Sequence, residues 1–351
     1  MTRADTSASE TPTTMATVFQ MITGHYLSTA IHTAAGLGLA DALADDTVGH
    51  AELAKRTGTH PEPLLRLLSL LATAGLVADE GEGRFALTET GQLLRQEGED
   101  SLHAVALMHA GPGHIQRLFQ LGEYMKSAPR TRGAEEGVNP FAQMPPHMAA
   151  VFQRAMTLFT RHTAQAVIEA YDFGRFATLV DVGGGEGALL AAVLRATPEL
   201  RGVLYDLPVV AEAGERTLAD AGLAARAEVV SGDFFTSVPA GHDAYLLKNV
   251  VHDWDDERSL TLLRNIRDAM KPDSRVLLVE TVKPARFDTS TASRLAAYSH
   301  LGMLLGGGAE RTEREYAELL SGAGLTLERT VAARPAWTGE ATVSVIEAAP
   351  A

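Results

Sequence analysis

The chain has 351 residues, 46% of them hydrophobic and 21% charged, and no cysteine. This composition suits a soluble protein with a core large enough for two domains, and it excludes disulfides, thiolate catalysis and cysteine metal sites. The formal net charge of −14 argues against a nucleic-acid partner held on a basic face. No apolar run is long enough to cross a bilayer, and no basic-then-apolar leader opens the chain. A cytoplasmic protein with no membrane partner is expected.

Residues 1–17 are rich in Ser, Thr and Ala and predict a disordered tail. Residues 18–43 place Val18, Ile22, Leu27, Ile31, Leu37 and Leu39 at helical spacing. They carry no chemistry and suit packing, including packing on a second subunit. Residues 50–91 predict two short helices, 51–56 and 61–74, closed by Gly58 and Gly75. A hairpin over 76–88 follows, with an acidic tip at 79–83. Helix, helix and hairpin make a winged-helix pattern. Its second helix carries Leu64, Leu65, Leu67, Leu68, Leu70 and Leu71, so most of that helix is expected to be buried. With an acidic tip as well, a structural or dimer module is expected rather than a DNA reader.

Residues 101–170 are expected to be mostly helical, with a loop at 128–140 and a turn at Pro145 and Pro146. Met108, Met144, Met148, Phe152, Met156 and Phe159 cluster here. They suit either core packing or an adaptable pocket for a flat aromatic substrate, since methionine fills irregular apolar space. His109, His114, His147 and His162 show no metal-ligand spacing, so no metal is expected and they read as surface or pocket polar groups.

From residue 178 strands and helices alternate, which predicts a parallel, doubly wound sheet. The predicted strands are 178–182, 202–206, 227–230, 244–247 and 275–279, with a closing hairpin of 325–331 and 341–347. The predicted helices are 188–196, 209–221, 256–270 and 313–322. The first strand runs into Gly183, Gly184, Gly185 and Gly187. Gly183, Gly185 and Ala188 satisfy the dinucleotide pattern, whereas Asp181, Gly183, Gly185 and Gly187 satisfy that of S-adenosylmethionine (SAM) enzymes. A pyrophosphate needs the helix N-terminus. SAM has no phosphate and is a cation at sulfur, and an acidic residue such as Asp181 suits its ammonium group.

Further polar groups fall at the carboxyl ends of the strands, where open α/β sheets bind ligands. Asp206 is placed to accept both ribose hydroxyls, and Asp233 with Phe234 to meet an adenine amino group and ring. His252 follows the fourth strand and is a natural general base, with an ordinary pKa of about 6.5. Glu280, ending the fifth strand, is the first candidate to orient it and Glu310 the second. For Glu310 a plain loop salt bridge with Arg311 is the equal alternative.

Several motifs then occur in one order: Tyr171-Asp172-Phe173, VDVGGGEG, Asp206-Leu207-Pro208, Gly232-Asp233-Phe234-Phe235, Leu247-Lys248, the run from His252 to Glu257, Val279-Glu280 and Glu310-Arg311-Thr312. In this the chain resembles the SAM-dependent small-molecule O-methyltransferases. These include the plant caffeic acid type and bacterial antibiotic-tailoring enzymes such as the mitomycin and anthracycline O-methyltransferases. The resemblance implies an α/β fold: a Rossmann-like class I methyltransferase sheet with helices on both faces, plus an N-terminal, mostly α winged-helix dimerisation domain. The domains expected are a tail (1–17), the dimerisation domain (18–100), a helical linker and substrate-pocket region (101–170) and a SAM-binding catalytic domain (171–351).

The resemblance implies a homodimer with interlocking N-terminal helices. It implies that Gly183, Asp206, Asp233, Phe234 and Lys248 contact SAM, beside Asp181 and Gly185 from the loop reading. It also implies His252 as base, flanked by Glu280 and Glu310, with Asp253 adjacent. Met108, Phe152, Met156, His162, Trp254, His300 and Met303 are the expected substrate contacts. The stretch 298–304 departs from the acidic residue and Met-Leu pair that many bacterial members carry. The expected reaction is methyl transfer from SAM to a hydroxyl, a phenol of an aromatic secondary metabolite, leaving S-adenosylhomocysteine. A SAM-dependent hydroxylase or decarboxylase on this scaffold and a ligand-sensing winged-helix regulator are the alternatives. His252 counts against the first and the acidic hairpin tip against the second.

Overall fold

The computed structural model describes residues 13–44, 46–126, 141 and 144–351. The chain divides into two compact units, Met1–Gln116 and Arg117–Ala351. Most of the expected tail and the loop expected at 128–140 lie outside the described residues.

The first unit opens with α1 (Thr14–Gly36), whose start is capped by Thr13 accepting the Ala16 N–H. Residues 14–17 are therefore helical, not tail. The helical pattern read over 18–43 is broken at Gly38, whose φ of 61° lets the chain turn into α2 (Leu39–Leu43). Then come β1 (Val48–Gly49), α3 (His50–Thr57) and α4 (Pro61–Thr73). Gly58 ends α3 in the left-handed region. In α4 the spacing buries Leu64, Leu68 and Leu71 against Leu43, Leu53 and Phe85, while Leu65, Leu67 and Leu70 are only partly covered. The predicted hairpin is β2 (Val77–Asp79) and β3 (Arg84–Leu87). Strand β3 also pairs with β1, a third strand too short to leave a periodic signal. Helices α5 (Glu89–Gln92) and α6 (His103–His109) follow, and the unit boundary falls within α7 (Pro112–Phe119). The outer face of α1 leaves Met15, Phe19, Met21, Ile22 and Tyr26 exposed.

The second unit carries α8 (Leu121–Tyr124) and the long α9 (Pro146–Ala170). Pro146 is not a turn residue but sits in the first helical turn, where its missing N–H costs nothing. The stretch 101–170, expected as one linker, is thus divided between the two units. The sheet strands are β4 (Thr178–Val182), β5 (Arg201–Asp206), β6 (Ala227–Ser231), β7 (Ala244–Lys248), β8 (Arg275–Glu280), β9 (Leu325–Ala333) and β10 (Val343–Pro350). Their spatial order is β6-β5-β4-β7-β8-β10-β9. The first five strands are parallel, and β10 inserts antiparallel between β8 and β9. Between the strands run α10 (Ala188–Ala196), α11 (Pro208–Asp220), α12 (Asp256–Ala269), α13 (Thr291–Leu304) and α14 (Glu313–Gly322).

The strand alternation fills two cores. Leu179, Leu204, Leu246, Leu277 and Val279 pack with α9 and α10. Val180, Val182, Tyr245, Leu247, Val276 and Leu278 pack with α12 and α14. Each such buried aliphatic contributes roughly 1.5–3 kcal/mol. Chain order leads outward from β4 to β6 and then returns to place β7 on the other side of β4. That reversal opens a crevice at the strand ends, where Asp206, Lys248 and Glu280 stand.

Candidate active site

The glycine turn after β4 is built for close approach. Gly183, Gly185 and Gly187 have φ of 70°, 59° and 77°, a region that L side chains rarely adopt. A Cβ on Gly183 would meet Val250 at 3.0 Å and the Phe234 ring at 3.6 Å. Phe234, far along the chain, therefore lies against the turn. Asp206 accepts the Gly185 N–H at 2.7 Å and the Leu207 N–H at 2.7 Å, so one carboxylate ties two strand ends together. Asp233 accepts the Phe235 N–H at 2.9 Å.

Asp181 corrects the sequence reading. It is 1% exposed, and a Cβ on Gly184 would lie 2.6 Å from its carboxyl group. It stands beneath the turn rather than presenting its charge to a ligand. Burial, then neighbouring Asp206, pushes its pKa up to about 7, against the pull of Lys248. Burial lowers Lys248 to about 8, opposed by Glu280 and Asp181.

The second half of the site is a single 3-10 turn, Val251–Asp253, after β7. Asn249 enters it with φ of 53°, a conformation Asn tolerates better than most residues. His252 is 8% exposed. Its Nδ1 donates to Glu310 Oε1 at 2.8 Å and lies 3.6 Å from Glu280 Oε2. This reverses the expected order of the two carboxylates. Glu280 spends Oε1 on the N–H groups of Val250 and Val251, at 3.0 and 2.9 Å, and so holds the turn instead of the ring. Asp253 acts on the imidazole only as the weakest of three nearby acidic charges.

Burial alone would lower the imidazole pKa, but Glu310 and Glu280 overcome it and carry it up to about 10. Burial raises Glu280 to about 7. Glu310 is also penalised by burial, yet His252 and Ser299 hold it below the usual carboxylate range. Nδ1 and one oxygen of each carboxylate lie within 4.8 Å of one another. A cation there would first have to displace the proton that Nδ1 gives to Glu310.

Arg311 does not pair with Glu310. It is buried and bonds Asp256 at 2.7 Å and the carbonyls of Val251 and Trp254 at 3.2 and 2.9 Å. It clamps the histidine turn, as does the Ala309 N–H donating to the His252 carbonyl at 2.9 Å.

The expected substrate contacts divide. Trp254 is 1% exposed and packs edge-on against Phe235 and Phe234, at 4.8 and 6.1 Å between ring centroids. It is a wall behind Phe234 and offers no surface to a substrate. Phe152 and Met156 are half-buried on α9, and Phe152 touches Phe141, which touches Trp254. His162 lies further along α9. His300 and Met303 share α13, one turn apart. Met108 belongs to α6 of the first unit. Sequence reasoning missed Ser299, Asn249 and Gly308. The left-handed Asn249 leaves no sequence signal.

The crevice fits SAM. The space that a Cβ on Gly183 would fill adjoins an aromatic ring, and two carboxylates stand on neighbouring strand ends. Residues 129–326 match the O-methyltransferase domain, and residues 19–97 match the O-methyltransferase dimerisation domain. The chain is 38% identical to phenazine O-methyltransferase PhzM of Lysobacter antibioticus over 95% of each chain. The mitomycin 7-O-methyltransferase MmcR superposes with a TM-score of 0.86 at 38% identity, covering 95% of this chain and 97% of that one. An O-methyltransferase from neocarzinostatin biosynthesis, solved with SAM and 2-hydroxy-5-methyl naphthoic acid, superposes with a TM-score of 0.78 at 30% identity, covering 93% and 96%. This chain belongs to the SAM-dependent O-methyltransferases, with a class I methyltransferase fold and an N-terminal dimerisation domain.

Proposed function

We propose that this enzyme methylates a phenolic hydroxyl of an aromatic secondary metabolite, with His252 as general base, and that it works as a homodimer. The relatives named for phenazine and mitomycin, and the one solved with a naphthoic acid, support the aromatic substrate class. The dimerisation domain and the exposed apolar face of α1 support the dimer.

The observation that carries the reading is the His252–Glu310 hydrogen bond at 2.8 Å, placed one turn beyond the strand next to the glycine loop. When bound, SAM supplies a methyl group on a positively charged sulfur. With Nδ1 committed to Glu310, Nε2 is the ring nitrogen left to take the acceptor's proton. The two carboxylates raise the imidazole above an ordinary histidine and so make it a stronger base toward a phenol. Asp206 and Asp233 are proposed to hold the ribose and adenine ends, and Phe234 the ring. Gly183, Gly185 and Lys248 complete that half. Asp181 acts through the turn above it. Phe152, Met156, His162, His300 and Met303 are proposed to border the acceptor.

A mass-spectrometric screen of aromatic metabolites with enzyme and SAM tests the substrate class, and a product heavier by one methyl group is expected. His252→Ala should lower turnover roughly 10²- to 10⁴-fold, with SAM affinity unchanged by calorimetry. Equal turnover, with chemistry rate-limiting, sinks the base assignment.

A further inference from the structure

We propose that Ser299 is a positioning residue of the active site, holding Glu310 against His252 and thereby setting the proton affinity of the imidazole. The inference rests on the reading of His252 as base. Ser299 lies on α13, and its Oγ donates to Glu310 Oε1 at 2.5 Å. That is the same oxygen that accepts from His252 Nδ1. Glu310 Oε2 is buried and has no hydrogen-bond partner. The rotation of this carboxylate is therefore fixed through one atom, by two donors, one of which is the base itself.

Glu280 shows the contrast. Two backbone N–H groups anchor it, so no side-chain substitution nearby frees it. Glu310 instead follows the loop Gly306-Gly307-Gly308, whereas Ser299 stands on a helix capped at Ser290. The helix is the rigid reference from which the carboxylate is aimed.

The hydroxyl also has an electronic consequence. A donor on Oε1 draws off part of the carboxylate's charge, so that oxygen pulls less strongly on the imidazole proton. Without the hydroxyl, Oε1 keeps its bond to His252 Nδ1 and holds that proton more tightly. Other charged and titratable groups face this pair. Glu280 and Asp253 act on His252, and His300 acts on Glu310. Tyr316 feels both carboxylates and also Arg311 and Glu315, and Lys248 feels Glu280. Among the described residues, only His252 and Ser299 hydrogen-bond Glu310.

The test uses Ser299→Ala and Ser299→Thr in the full chain. Histidine-selective ¹⁵N NMR follows the titration of His252, assigned by difference from His252→Ala. Calorimetry with SAM controls for folding, and turnover is measured across pH. In Ser299→Ala the His252 titration should move up by about 0.5–1 pH unit, and the acid limb of turnover with it. Turnover near neutral pH should fall roughly 3- to 10-fold, since each pH unit is tenfold in the neutral imidazole. SAM affinity should hold, and Ser299→Thr should restore the wild-type titration. If Ser299→Ala fails to bind SAM, Ser299→Cys, a weaker donor, should give an intermediate shift. A His252 titration that stays put or moves down, a loss confined to KM, or a threonine variant no better than alanine overturns the proposal. The NMR shift is read without turnover, so failure of the base assignment would show separately, in His252→Ala.

Discussion

A Cβ on Gly308 would lie 2.1 Å from the carbonyl oxygen of His252. The loop before α14 and the turn that carries His252 are in backbone contact, and only a glycine allows it. Gly308→Ala must push the two apart and tilt the His252–Glu310 pair. Turnover should drop by about 10²-fold, as misplacement of a catalytic group by about 1 Å does. Overpacking should cost roughly 1–3 kcal/mol of stability. Gly302→Ala on α13, with nothing within 4 Å of the new Cβ, is the control and should be neutral or slightly stabilising. Matching kinetics in the two variants would contradict the account.

The raised imidazole makes a pH prediction. A base must be neutral, and below its pKa the neutral fraction falls tenfold per pH unit. With His252 at about 10, turnover of a phenol should still be climbing at pH 8, not level from 6.5 upward. Glu310→Gln removes the larger of the two flanking charges and should move the limb down by roughly 1–3 units. A wild-type profile already flat by pH 7.5 would show that the carboxylates do not raise the ring.

Asp181 links folding to pH. Its carboxyl is raised by burial, so the folded state binds the proton more tightly than the unfolded chain. The sign follows: stability falls as pH rises from the ordinary Asp value near 4 toward 7 and is level beyond. Across that window wild type should lose up to ~4 kcal/mol relative to Asp181→Asn. Chemical denaturation of both proteins at pH 4 and pH 8 measures the difference. A gap that does not change with pH rules out an ionised Asp181 beneath the turn.

The exposed face of α1 predicts self-association. Phe19 and Ile22 are 65% and 66% exposed, and a face of large apolar side chains is normally covered by a partner. Light scattering should give a dimer for the full chain. Phe19→Asp with Ile22→Asp should give monomers, while the SAM site, in the other unit, keeps its affinity. A wild-type monomer at micromolar concentration contradicts the dimer.

The sheet was largely legible because its strands are short apolar runs between glycine and polar breaks. Helices α10 and α14 fall on the residues that spacing predicts. Helix α13 escaped because its apolar residues form no stripe: Tyr298 and Leu301 are exposed, and only Ser293 and Ala296 are buried. His252, Glu280 and Glu310 were readable as a group by their places at strand and loop ends. Which carboxylate holds the ring was not readable. That choice follows from the Ala309–His252 backbone contact, which brings Glu310 in from 58 residues away. Of the two alternatives for Glu310, the salt bridge with Arg311 fails for the same reason, since Arg311 is spent on Asp256 and on the turn it clamps.

The strand order has a consequence for how this scaffold can vary. The groups proposed to hold SAM hang mainly from β4, β5 and β6, and those proposed to handle the proton from β7, β8 and the loop before α14. Lys248, at the end of β7, stands on the seam. The two sets meet only at the reversal of the sheet, so neither is threaded through the other. Acceptor chemistry can therefore be rewritten on one wing while the other keeps the same methyl donor.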